Sequence, residues 1–111
     1  MKQLFKCNGC GYIHEGTQAP DVCPKCGAPK EMFTQLDEDA AKKVYSSNRT
    51  NDIHMEIIAL SVKIQELCLE GIEIDLDPPC VSVFEKSLAA AWVAKQSSKA
   101  EIAGHVGKGK W

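Results

Sequence analysis

The sequence predicts a small metal-organised N-terminal domain followed by an all-α helical hairpin, which becomes a four-helix bundle on dimerisation. Three observations carry this. Two Cys-x-x-Cys-Gly knuckles, at 7–11 and 23–27, crowd into the first quarter of 111 residues. That stretch is also rich in turns and short, and below about 40 residues a metal or disulfides usually supply what a hydrophobic core cannot. From residue 53 onward, apolar residues recur at helical spacing, with one break at Asp77-Pro78-Pro79.

Composition narrows the function classes. The chain is 44% hydrophobic and 25% charged, with a formal net charge of −2. No segment approaches the roughly 18 consecutive apolar residues of a membrane span. A weakly acidic balance does not describe a nucleic-acid binder. Residues 1–10 show no apolar signal core, so a cytoplasmic, reducing location is expected. There, close thiol pairs read as metal ligands rather than disulfides.

Three segments follow: a metal domain over 1–35, a helical linker over 36–50 and a hairpin over 51–111. Glycine and proline punctuate the first and leave room for short strands at 4–6 and 12–14. Acids at Asp37, Glu38 and Asp39, followed by Lys42 and Lys43, complement a helix dipole. The polar run 46–51 interrupts this linker, and Thr50, Asn51 or Asp52 can cap the next helix. Ile53, Ile57, Leu60, Ile64, Leu67 and Gly71 then form one apolar stripe, with Gly71 as C-cap.

Asp77 is the expected N-cap of a second helix, with Pro78 in its first position. Its stripe is Val81, Phe84, Leu88, Ala91, Lys95, Ser98 and Ile102, widened by Trp92 as a core residue. Ala89, Ala90, Ala91 and Ala94 permit close helix approach, and Gly104, Gly107 and Gly109 predict a fraying tail. The short connection makes the helices antiparallel. Two helices leave one broad apolar face uncovered, and a second copy is the simplest cover, so a homodimer is expected.

The chemistry lies in Cys7, Cys10, Cys23 and Cys26. A two-residue spacer lets both sulfurs of a pair bind one ion from a tight turn, and glycine after the second Cys permits that turn. Two facing knuckles make a tetrahedral four-sulfur site, which suits zinc or iron.

The residues around the knuckles extend the pattern. Phe5 precedes Cys7, Gly11-Tyr12 follows Cys10, Glu15-Gly16 and Ala19-Pro20 lie in the spacer, and Cys23-Pro24-Lys25-Cys26-Gly27 leads to Phe33. This stretch resembles the rubredoxin-like domain at the C-terminus of rubrerythrins, including its short gap between knuckles. The resemblance implies a small rubredoxin-like, zinc-ribbon-type fold. It implies one iron per chain, cycling between Fe(3+) and Fe(2+) on Cys7, Cys10, Cys23 and Cys26. It also implies one-electron exchange with redox protein partners, a reductase and an acceptor.

The domain stands first here, and residues 36–111 contain no Glu-x-x-His motif, so peroxidase activity is not carried over. No nucleophile–base pair or phosphate loop is evident, and the chain is expected to be an electron carrier rather than an enzyme. The alternative is a zinc-stabilised structural or protein-interaction module without a redox role.

Weaker features have plainer readings. His14 is expected to be an exposed loop residue. His54, Glu56, Glu101 and His105 could build a second metal site in a dimer, but a solvated face is the better reading, with His105 the member placed to turn inward. Cys68 and Cys80 read as buried free thiols near the hairpin's closed end, with a reversible disulfide as the minority alternative.

Overall fold

Leu4, Phe5 and Cys7 are buried on a strand whose other residues face solvent. This strand, β1 (Gln3–Cys7), is the middle of a three-stranded antiparallel sheet in the computed structural model, which describes residues 2–111. β2 (Ile13–Gly16) pairs along one side, with Phe5 opposite His14. β3 (Phe33–Gln35) pairs along the other, with Cys7 opposite Phe33. The third strand was not foreseen, because three residues between a turn and an acidic run carry no alternation to read.

Two helices follow, α1 (Glu38–Ile74) and α2 (Pro78–Gly107). The chain divides into two compact units, one ending at Tyr45 and the other Ser46–Trp111. In the first, Leu4, Phe5, Cys7, Ala19, Cys23 and Val44 are the buried apolar residues. Two of these six are knuckle cysteines, so the apolar core is very small. The Asp37 carboxylate accepts from the Ala40 amide at 2.8 Å and starts α1. The Tyr45 hydroxyl donates to Glu15, which also pairs with Lys2 at 3.6 Å. The Tyr45 hydrogen bond, helped by Lys2, holds the Glu15 carboxyl below its usual range.

In the second unit the helices form an antiparallel hairpin. Gly71 lies against Phe84, His54 reaches Ser98, and Asn51 reaches His105. Asp77 caps α2 as expected, accepting from the Cys80 amide at 2.9 Å, with proline at the start. The expected α2 stripe does face α1: each of its residues is buried or half-buried.

Of the expected α1 stripe only its last position, Gly71, faces α2; the five aliphatic members do not. Ile53, Ile57, Leu60, Ile64 and Leu67 are exposed, Leu67 by 63%. The seam lies one residue further on, at Asn51, His54, Ile58, Ser61, Gln65 and Cys68. Its steps of 3 and 4 match those of the apolar stripe, so periodicity describes both faces and cannot choose between them. The polar run 46–51 does not interrupt the helix either. α1 is continuous through it, and Thr50 satisfies its hydroxyl on the Ser47 carbonyl at 2.9 Å. Trp92 is 53% exposed, with the Lys95 ammonium 5.4 Å from its ring centroid, and so is not core.

Gly71 and Gly109 also differ from expectation. Gly71 is not a C-cap: the helix runs on to Ile74, and a Cβ at Gly71 would come within 2.4 Å of the Phe84 ring. Its role is a notch for that ring. The tail is tied rather than frayed. Gly109 has φ 71°, the Lys110 amide donates to the His105 carbonyl at 2.8 Å, and Gly109 donates to Val106 at 3.4 Å. This is a Schellman closure. The buried Asn51 amide donates to the Lys110 carbonyl at 2.7 Å and fastens the tail to α1.

Gly71→Ala should lower the melting temperature of the hairpin. An overpacking cost of about 1–3 kcal/mol exceeds the roughly 1 kcal/mol gained in helix propensity. Asn51→Leu should cost about 1–3 kcal/mol by orphaning His105 and releasing the tail. Chemical denaturation followed by circular dichroism would measure both.

Candidate metal centre

The chain makes the same turn twice. The Gly11 amide donates to the Cys7 carbonyl at 2.8 Å, and the Gly27 amide to the Cys23 carbonyl at 2.9 Å. Cys7 and Cys23 each donate their own amide across the base of the turn, to Tyr12 and Ala28 at 2.8 Å. Gly11 has φ 84° and Gly27 has φ 77°, left-handed values that favour glycine, and no atom would obstruct a Cβ at either. Backbone conformation, not crowding, therefore selects these two glycines. β1 delivers the first knuckle, and the isolated bridge between Val22 and Pro29 closes the second. The Asn8 amide bonds the Met32 carbonyl at 2.9 Å and holds the first knuckle against the segment that leads into β3.

The turns bring four sulfurs together. All lie within 4.8 Å of one another, with Cys7 to Cys26 at 3.7 Å and Cys10 to Cys23 at 3.6 Å. A regular tetrahedron with metal–sulfur bonds of about 2.3 Å has edges of about 3.8 Å, so the spacing matches a cage around one ion. The four cysteines form a metal-binding site. Cys7 and Cys23 are buried, Cys10 is half-buried, and Cys26 is exposed.

The sulfurs do not ionise alike. Burial pushes the Cys23 thiol up, but the Cys26 and Lys25 amides, with hydrogen bonds from Cys10 and Cys26, outweigh it and bring the pKa down to about 6. The Tyr12 amide pulls Cys10 down, yet burial and its three thiol neighbours prevail and raise it to about 11. One thiolate thus forms readily and a neighbouring thiol resists. A bound cation would remove that resistance, so metal uptake releases protons and weakens in acid.

The other sequence candidates fall elsewhere. His14 sits half-buried on β2, outside the sulfur group. His54 lies on the hairpin seam rather than a solvated face, with Nδ1 3.1 Å from the Ser98 hydroxyl. His105 does turn inward: its Nδ1 donates to the Asn51 carbonyl oxygen, and its Nε2 is 3.4 Å from Glu101. The two rings meet edge to face at 6.3 Å. Among the described residues, the four cysteines are the one His/Cys/Asp/Glu group of three or more with ligand spacing. Cys68 is buried and free, and Cys80 is half-buried and free. No disulfide joins Cys68 and Cys80.

A four-sulfur knuckle domain joined to a helical hairpin is thus the class that fold and site define. Residues 5–34 match the family model "Rubrerythrin, rubredoxin-like domain". Rubrerythrin of Nitratidesulfovibrio vulgaris is 53% identical over 32 residues, covering 29% of this chain and 17% of that protein. Rubrerythrin-1 of Clostridium acetobutylicum is 49% identical over 37 residues, covering 33% of this chain and 19% of that protein. Reverse rubrerythrin-1 of the same organism is 31% identical over 99 residues, covering 89% of this chain and 49% of that protein. An alignment of that length takes in much of both helices, a relationship that residues 36–111 had not disclosed. The chain spans about half or less of the length of these relatives. No solved structure matches.

Replacing Cys23 with Ser should cost the site its metal and loosen the sheet around β1, since Cys23 is both a ligand and part of the small core. Metal content by elemental analysis should fall well below that of the unsubstituted chain. Limited proteolysis should then cut within 2–35 while sparing the hairpin.

Proposed function

We propose that the protein is a one-electron carrier whose cage of Cys7, Cys10, Cys23 and Cys26 holds a single iron, and that it works as a homodimer joined through its helical hairpin. The observation that carries this reading is four sulfurs at tetrahedral spacing inside a segment that matches a rubredoxin-like domain. Bound iron would supply a ferric/ferrous couple.

The chain's own contribution is to keep the site nearly unchanged between the two charge states. The knuckle turns are fixed by backbone hydrogen bonds, so ligand positions need little rearrangement. Amides of Tyr12, Lys25 and Cys26 offset negative charge on the sulfurs, and charge-stabilising amides of this kind raise a reduction potential. Cys26 is exposed, so a docked protein can approach the cage without any opening of the fold. The partners implied are a reductase on one side and an acceptor on the other. A soluble setting fits, since no helix among the described residues is long and apolar enough to cross a membrane.

The rival occupant is zinc, which the same four thiolates would accept. It would make the domain a structural or interaction module. Potentiometric titration separates the two. The electron-carrier reading expects a reversible wave of one electron per chain with stoichiometric iron. A silent titration on zinc-filled protein from iron-replete cells would establish the module instead.

A further inference from the structure

We infer that the two copies meet through the face formed by the exposed α1 stripe and the small-residue row beside it on α2, and not through the polar seam. This rests on the proposed self-association and specifies its surface. Ile53, Ile57, Leu60, Ile64 and Leu67 are exposed, and each stands one residue before a seam position. In an antiparallel pair of right-handed helices, positions offset in the same sense from the seam share one side. The matching row on α2 includes Val83, Ser87, Ala90 and Ala94. One side of the hairpin therefore carries a ridge of large side chains on α1 and a shallow strip of small ones on α2.

Such a face is complementary to itself. Gly71 against Phe84, Asn51 against His105 and His54 against Ser98 show that facing residue numbers sum to between 152 and 156. Leu60 and Ile64 are accordingly level with Ala94 and Ala90. A two-fold axis parallel to the helices preserves those levels and exchanges α1 with α2 across the interface. Leu60 and Ile64 then pack on the partner's Ala94 and the partner's Ala90, ridge into groove, on both sides at once. The size also suits a second copy. With 30 residues in α2, the face is about 45 Å long and about 20 Å wide. That is about 900 Å², close to the roughly 800 Å² that each partner contributes to a stable interface. The seam polar groups of Asn51, His54, Ser98 and His105 are already paired within one hairpin and are not needed by the partner.

Sedimentation velocity on the full metal-loaded chain tests this at micromolar concentration. The expected result is a species of twice 12.1 kDa. Leu60→Glu with Ile64→Glu should weaken association at least 100-fold, and Ala94→Trp should do the same by filling the groove. The visible or metal-content signature of the sulfur site should not change in any of these variants. Met55→Glu with Leu69→Glu, on the other side of the hairpin, should leave the dimer intact. Far-UV circular dichroism checks that helices persist, and Ala94→Trp serves if the acidic pair unfolds. A wild-type chain that is monomeric at 100 μM overturns self-association itself. A dimer that survives Ala94→Trp and the Leu60/Ile64 pair but dissociates with the Met55/Leu69 pair overturns the assignment of the face while leaving the dimer standing.

Discussion

Four thiolates held within 4.8 Å of one another repel, and only a cation between them makes that arrangement stable. The first unit depends on this. Three short strands bury a handful of apolar side chains, two of which are themselves ligands. An ion in the cage would join β1, which carries Cys7, to the second knuckle, which no extended strand pairing secures. Folding and metal binding are then one equilibrium, as in other small domains that lack a sufficient core. The divergent ionisation of Cys10 and Cys23 expresses the same constraint before any ion arrives.

The second unit solves a different problem. The fully buried residues of its internal seam are small or polar, Ser61, Cys68, Ala91 and Ser98 among them, and Gly71 is notched to admit Phe84. The larger apolar side chains at the seam, Ile58, Val81, Phe84, Leu88 and Ile102, are half-buried. The five aliphatic side chains of the α1 stripe are left outside. A hairpin arranged in this way fixes its own register by shape and hydrogen bonds and keeps its main hydrophobic resource for another surface.

The two knuckles and their grouping of four sulfurs were legible in the sequence because the determinants of each knuckle are local. Cys spacing, the glycine after each pair and the turn geometry all lie within five residues. The cap at Asp77 and the α2 stripe were legible for the same reason. What failed was non-local. The α1 seam and the α1 apolar stripe have the same period and differ by one residue in phase, so only the partner helix reveals which faces inward. Asn51 looked like a helix cap because its side chain suits one, yet its partners, His105 and the Lys110 carbonyl, lie more than 50 positions away. Gly71 looked like a terminus because the ring that requires it comes from α2. The tail glycines signalled fraying, whereas Gly109 supplies the left-handed residue of a closed cap.

The central claim is that the sulfur cage of the working protein holds iron and changes charge by one. Elemental analysis with a visible spectrum, on protein purified from its native source, tests it most directly. The account predicts one iron per chain and a red ferric chromophore that bleaches with dithionite. Stoichiometric zinc in colourless native protein would contradict it.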